Sequence, residues 1–367
     1  MQSTILVVLV VVTALAFDFT NGFHDTANVI ASAISTRALS PRTAIALAAV
    51  LNFAGAFVSL KVAATVATGI IDPAKITEAV AFSGLIGAII WNLITWYFGL
   101  PSSSSHALIG GVIGALLAAV GGSGVNWDGL IGKVVVPALI APVLAFVVAG
   151  VSIVAVYAML GRRRPGLVNR GFRLGQVLTS GMLALAHGTN DAQKTMGVIT
   201  LALVAHGTIS ADHVYVPTWV VLCAASAIAL GTYAGGWRII RTVGTRIIRM
   251  DPAQAFAAQS AGASVILASS HFGYPLSSTH VISGAVMGAG AAKRLSAVRW
   301  GVAGNIAVAW VLTLPAAGLF GAAVYFLQQA LGAGVLGPML IWLVALALLA
   351  SLILVRRTRF ARAAQAS

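Results

Sequence analysis

The chain has 367 residues, 59% of them hydrophobic and 8% charged, a balance that excludes an ordinary soluble domain, in which about a quarter of the residues carry charge. Its formal net charge of +14 does not point to nucleic acid, because Arg and Lys fall mainly in short connections between apolar runs, where a membrane protein marks its cytoplasmic side. The single cysteine, Cys223, excludes an intramolecular disulfide and a cysteine-rich metal site and reads as a small core residue.

In chain order, apolar segments fall at about residues 3–36, 44–70, 79–99, 105–120 and 134–160, and a helix needs roughly 20 residues to span. Ala14-Leu15-Ala16 resembles a signal-peptidase site, but no Lys or Arg precedes the first run, so this segment is expected to stay in place. It carries N-G-F-H-D-T-A-N-V-I-A-S from Asn21 to Ser32. The corner between the third and fourth segments reads F-G-L-P-S-S-S-S-H-A-L-I-G-G-V-I-G-A from Phe98. After an arginine-rich stretch, five segments mirror the first five, at about 174–205, 214–235, 253–271, 279–291 and 300–325. The first of these carries H-G-T-N-D-A-Q-K-T-M-G from His187, which aligns Asp191 with Asp25, Gly188 with Gly22 and Lys194 with Asn28. The corner from Phe272 matches the corner from Phe98 at ten of eighteen positions, pairing Pro275 with Pro101, Ser277 with Ser103, Ser278 with Ser104, His280 with His106 and Gly284 with Gly110. A last segment follows at about 335–355.

The chain is therefore expected to be an all-α polytopic membrane protein of about eleven segments. Its expected parts are a first repeat at 1–160, a basic cytoplasmic loop at 161–173, a second repeat at 174–334, and a C-terminal membrane helix with a basic tail at 335–367. Arg37 and Arg42, the loop residues Arg162, Arg163, Arg164, Arg170 and Arg173, and the basic groups at Arg238–Arg249, Lys293–Arg299 and Arg356–Arg362 mark one side; connections around Asp72, Asp128 and Asp212 mark the other. Threaded through these marks, the hairpin near Ser103 has both ends outside and the one near Ser277 both ends inside. This predicts inverted repeats with broken helices and re-entrant hairpins, a secondary-transporter architecture. Within 237–249, Arg238, Arg241 and Arg249 form a basic stripe opposite Ile239, Val243 and Ile247, which predicts a helix lying on the membrane surface.

Polar groups in an apolar run cost several kcal/mol unless paired, so the repeated motifs are the candidate site. A Pro followed by Ser or Thr at a helix start gathers backbone N–H groups and hydroxyls in a volume suited to an oxyanion; the alternative is a plain N-cap. An acid beside that anion adds about 4 kcal/mol of repulsion at 4 Å and an effective dielectric of 20. Either a metal cation sits among Asp25, Asn28, Asn190 and Asp191, with exposed backbone oxygens at the helix breaks, or the acids are protonated when the anion binds. An ammonium at Lys194 replaces one cation and can contact the anion. His106 and His280 either brace the corners or carry protons. Asp18 and His24 are read as supporting residues, and Lys61 is left without a role.

At these motifs the chain resembles the inorganic phosphate transporter family, especially its bacterial low-affinity members: D-F-T-N-G-F-H-D-T-A-N from Asp18, H-G-T-N-D-A-Q-K from His187, P-S-S-S-S-H from Pro101 and P-L-S-S-T-H from Pro275. The resemblance covers both halves and implies phosphate import across the bacterial plasma membrane by alternating access. It assigns phosphate binding to Ser103, Ser104, Ser105, Ser277, Ser278 and Thr279, and cation or proton coupling to Asp25, Asn28, Asn190 and Asp191, with His187 in support. Sodium-coupled members have Asn in both halves where this chain has Asn28 and Lys194, so proton coupling is expected, with sodium as the alternative. No cofactor and no resident metal are expected. The expected partners are inorganic phosphate or a metal-phosphate and the lipid bilayer; nucleic acid is not one, and a homodimer is a candidate assembly. A sulfate or other oxyanion permease, a membrane-embedded hydrolase and a passive channel are the rival readings; Ser105 beside His106 is not a nucleophile-base arrangement.

Overall fold

A computed structural model describes residues 2–332, 334–347 and 351. Among these residues all regular structure is helical, apart from an isolated bridge between Ile71 and Val125. The first half comprises α1 (Gln2–Ser35), α2 (Pro41–Gly55), the short α3 (Lys61–Ala64) running into a π turn (Thr65–Gly69), α4 (Glu78–Phe98), α5 (Ser104–Val120), and α6 (Trp127–Leu130), which continues through a π turn (Ile131–Val135) into α7 (Val136–Leu160). The second comprises α8 (Pro165–Ala205), α9 (Thr218–Ala234), α10 (Trp237–Arg241) with its own π turn (Thr242–Arg246), α11 (Pro252–His271), α12 (Ser278–Ala291) and α13 (Trp300–Leu331). An apolar helix α14 (Leu336–Ala347) follows; the expected basic tail lies outside the described residues.

Helix boundaries follow local chemistry. Ser40 caps α2 ahead of Pro41, Thr77 caps α4, and Asp251 with Gln254 forms a capping box ahead of α11. Both corners turn on a left-handed glycine, Gly99 at φ 66° and Gly273 at φ 76°, a conformation that strains any residue with a Cβ.

Five helices among the described residues are long and apolar enough to cross a membrane: Thr4–Ser35, Glu78–Phe98, Ser104–Gly124, Trp127–Leu160 and Trp300–Leu331. A sixth is formed if the bent pair Thr218–Ala234 and Ile239–Arg246 counts as one span. Exposed apolar side chains concentrate on α7 and α13, with Leu139 at 68% and Val311 at 75% exposure, as lipid-facing surfaces require. The protein is a multi-pass membrane protein.

The halves interlock. α1 packs on α9 and, equivalently, α8 on α2; α5 packs on α13 and α12 on α7; α4 and α11 each pair with the helix that follows their corner. Small residues permit these approaches. A Cβ on Gly22 would stand 2.4 Å from the Ile228 carbonyl and one on Gly188 2.1 Å from the Asn52 carbonyl; Gly114 and Gly288 meet the Gly318 and Phe146 carbonyls at 2.0 Å each.

Two apolar cores result. One gathers the start of α1, α4, α5, the end of α8 and α9; the other gathers the end of α1, α2, α7, the middle of α8, α11 and α12. Thus α1 and α8 run between the cores in opposite directions, and a polar layer at 18–28 and 187–195 separates the cores. The α4–α5 hairpin has its ends tied by hydrogen bonds from Asp72 to Gly124 and from Asn126 to Ile70. Gln254 Nε2 to the Ala289 carbonyl (3.1 Å) does the same for α11–α12. Each hairpin tip reaches the polar layer.

Two expectations are corrected. The acidic motifs lie inside continuous helices of 34 and 41 residues, not at helix breaks; hydroxyls from other helices reach the Asp25 and Asp191 carboxylates, so the backbone does not have to open to meet them. The 237–249 stretch does not lie on a membrane surface with its isoleucines in lipid. Ile239, Val243 and Ile247 are buried in the second core, where α10 and its π turn pack against α1, so this apolar face leaves water inside the protein and not in lipid.

Candidate functional site

The polar layer holds a lattice with two-fold logic. Asp25 accepts from Ser104 of the first hairpin and from Thr279 of the second (3.2 Å); Asp191 accepts from Ser278 of the second (2.9 Å) and from Ser105 of the first (3.4 Å). Each acid is therefore held by one hydroxyl of its own half and one of the other, and each hairpin grips both acids. Asn28 donates to Asp25 (3.3 Å) and to Thr279 (2.8 Å). At the equivalent position Lys194 donates to Asp191 and to Ser105.

The neighbours of the acids differ. His24 bonds Asp25 through Nδ1 (2.9 Å) and Thr95 through Nε2 (3.2 Å), with Ser102 donating to Thr95 (2.8 Å). His187 meets Asp191 through Nε2 (2.8 Å) and Asn52 through Nδ1 (3.0 Å), and Asn52 donates to Thr232 (2.8 Å). Every one of these side chains is buried, so the layer is closed to solvent on both sides. Oxygen or nitrogen atoms of Asp25, His187 and Asp191 lie within 4.8 Å of one another, close enough to share one cation.

Lys194 is among the largest fully buried side chains. Its third donor goes to the Leu276 carbonyl (2.6 Å), so with Asp191 and Ser105 all three ammonium protons are taken. Lys194 was expected among the phosphate ligands; here no proton is left for one. Asp18 is also fully buried, beside Thr195 and Asn21 and within the fields of Asp191 and Lys194. The layer thus sets three carboxyls against one ammonium.

Other expected residues occupy less direct positions. Ser103 and Ser277 cap α5 and α12, accepting from the backbone N–H of His106 (3.1 Å) and His280 (3.2 Å), which commits their lone pairs to the helix starts. The imidazoles of His106 and His280 meet edge to face at 4.7 Å, and His280 stacks on Trp310 at 4.2 Å; they brace the two hairpins against each other. Asn190 is not brought to the carboxylates, since its amide nitrogen donates to Ser270 (2.8 Å) and to the Tyr274 carbonyl (3.1 Å). Lys61 is exposed at the start of α3. Asn21, whose Oδ1 faces Ser104 (2.7 Å), was missed, although its alignment with His187 signalled it. Thr95, Asn52 and Thr232 lie outside the repeated motifs, Ser102 lies inside a corner but pairs there with Leu276, and the Leu276 carbonyl has no side-chain signal at all.

A model described as the phosphate transporter family matches residues 21–321. The chain belongs to that family. It is 53% identical over 346 residues, 94% of this chain and 83% of the relative, to a probable low-affinity inorganic phosphate transporter of Mycobacterium tuberculosis (strain ATCC 25618 / H37Rv). It is 45% identical over 326 residues, 88% of this chain and 97% of the relative, to one of Bacillus subtilis (strain 168). A solved structure described as the sodium-dependent phosphate transporter matches with a TM-score of 0.79 and 26% identity, covering 89% of this chain and 99% of that one. The family comprises transporters, not enzymes.

Proposed function

We propose that this member of the phosphate transporter family imports inorganic phosphate across the bacterial plasma membrane by alternating access, with protons as the driving ion. The observation that carries this reading is Lys194, which takes the lattice position of Asn28 and fills the second half with a tethered ammonium. An ammonium there repels a sodium ion and offers it no lone pair, so one of two equivalent cation positions is already occupied by the chain itself. Phosphate is held between the hairpin tips by the hydroxyls of Ser104, Ser105, Ser278 and Thr279 and the N-termini of α5 and α12. Those hydroxyls now face Asp25 and Asp191, so a proton on an acid frees them to turn toward the anion. Opposite running of α1 and α8 between the two cores, with hairpins entering from opposite ends, supports inverted repeats.

Reconstitution tests the coupling. An inward proton gradient without sodium drives phosphate accumulation in proteoliposomes, and a protonophore collapses it; accumulation that requires sodium and survives the protonophore overturns the assignment. Sodium coupling is the second reading, favoured by the cluster of Asp25, His187 and Asp191 atoms. Competition by sulfate separates a phosphate carrier from a general oxyanion permease.

A further inference from the structure

The start of α8 carries a face that transport chemistry does not use. Arg164, Leu167, Val168, Gly171 and Gly175 share one side of the helix. With the end of α7 and Phe256 of α11 they line a groove of about 820 Å³, within the range of pockets that hold a sizeable ligand. Its floor is aromatic, Phe172 and Phe256 meeting at 5.3 Å. Its middle is an open trough, for a Cβ on Gly171 would meet nothing within 4 Å, and Leu167 is 67% exposed beside it.

The lip has the opposite character. Arg163 and Arg164 line the groove and are exposed, at the N-terminus of a 41-residue helix whose dipole favours an anion. The acid nearest this end, Asp251, is engaged by Tyr157 (3.0 Å), Lys293 (3.2 Å) and the Gln254 amide (2.9 Å). The lip is therefore left cationic.

We propose that this groove binds an anionic phospholipid, its phosphodiester between Arg163 and Arg164 and an acyl chain along the trough over Phe172 and Phe256. Guanidinium groups pair with phosphate oxygens in a fork, and in a zwitterionic lipid the headgroup ammonium offsets the phosphate charge that attracts them. A soluble anion leaves the apolar trough bare. Only a molecule with a charged head and an apolar tail uses both parts.

The test places the full chain in phosphatidylcholine nanodiscs with a minor fraction of phosphatidylglycerol and measures the lipid retained by native mass spectrometry. Wild type is expected to retain phosphatidylglycerol over phosphatidylcholine by about tenfold or more. R163Q/R164Q abolishes the preference, while R170Q/R173Q, equal in charge change but outside the groove lining, keeps it. Gly171→Leu, which grows into open space, expels the lipid without altering charge. Equal loss in both double variants, retention in Gly171→Leu, or displacement of the lipid by inorganic phosphate each overturns the proposal.

Discussion

Asp25 and Asp191 occupy equivalent points of one lattice, yet they are in different electrostatic states. Asp25 is surrounded by neutral donors, Ser104, Thr279 and Asn28, with His24 alongside. Asp191 has the equivalent hydroxyl pair, Ser278 and Ser105, and His187 alongside, but an ammonium where Asn28 stands. Geometry has been preserved through the duplication while charge has not. Two equivalent positions can therefore keep the same hydroxyl cage around a carboxylate and still differ in charge: among the described residues Asp25 has no ammonium in contact, and Asp191 has one carried by the chain itself.

Removing one side of that ion pair is expected to have the largest effect. Asp191→Asn strands a buried ammonium, at a cost of about 3–5 kcal/mol, and should lower the thermal midpoint in detergent sharply. Asp191→Asn combined with Lys194→Asn should recover most of the loss, because both partners leave together. A single variant as stable as wild type breaks the contrast between halves. Asp25→Asn should behave otherwise: phosphate accumulation falls at least about 100-fold, the equivalent of some 2.7 kcal/mol, while the thermal midpoint moves less than in Asp191→Asn, since no opposite charge is orphaned.

Lys194→Asn sharpens the comparison by making the halves alike. With proton coupling in wild type, this variant should acquire a dependence on added sodium, visible as a rise in thermal midpoint with sodium that wild type lacks. Next in size, Ser104→Ala and Ser278→Ala should each weaken phosphate binding by about 1–3 kcal/mol; titration calorimetry showing that only one matters would deny that the anion sits between both hairpins. The smallest effect concerns the π turns that brace the corners. Thr242 Oγ1 donates to the Gly99 carbonyl at 2.9 Å, whereas Thr65 Oγ1 only packs where a Cβ on Gly273 would stand. Thr242→Val should cost about 0.5–1.5 kcal/mol of stability and Thr65→Val less, a difference that denaturation curves can read.

The duplicated motifs, the hairpin corners and the pairing of Asp25 with Asp191 were legible in the sequence because buried polar groups in an apolar run are expensive and recur only where they are used. Composition likewise determined the membrane class, and the repeat alignment already set Lys194 opposite Asn28. Tertiary structure decided what those residues touch. That the acidic motifs stay helical depended on hydroxyls arriving from hairpins 79–254 positions away in the chain, which no local pattern encodes. The same holds for Lys194, whose third partner is a backbone carbonyl at Leu276, and for Asn190, which packing turns toward Tyr274. The amphipathic stretch at 237–249 shows the limit most plainly: period and charge establish that one face must leave water, but an apolar face is satisfied equally by lipid or by α1, and only the packing of the whole chain selects between them.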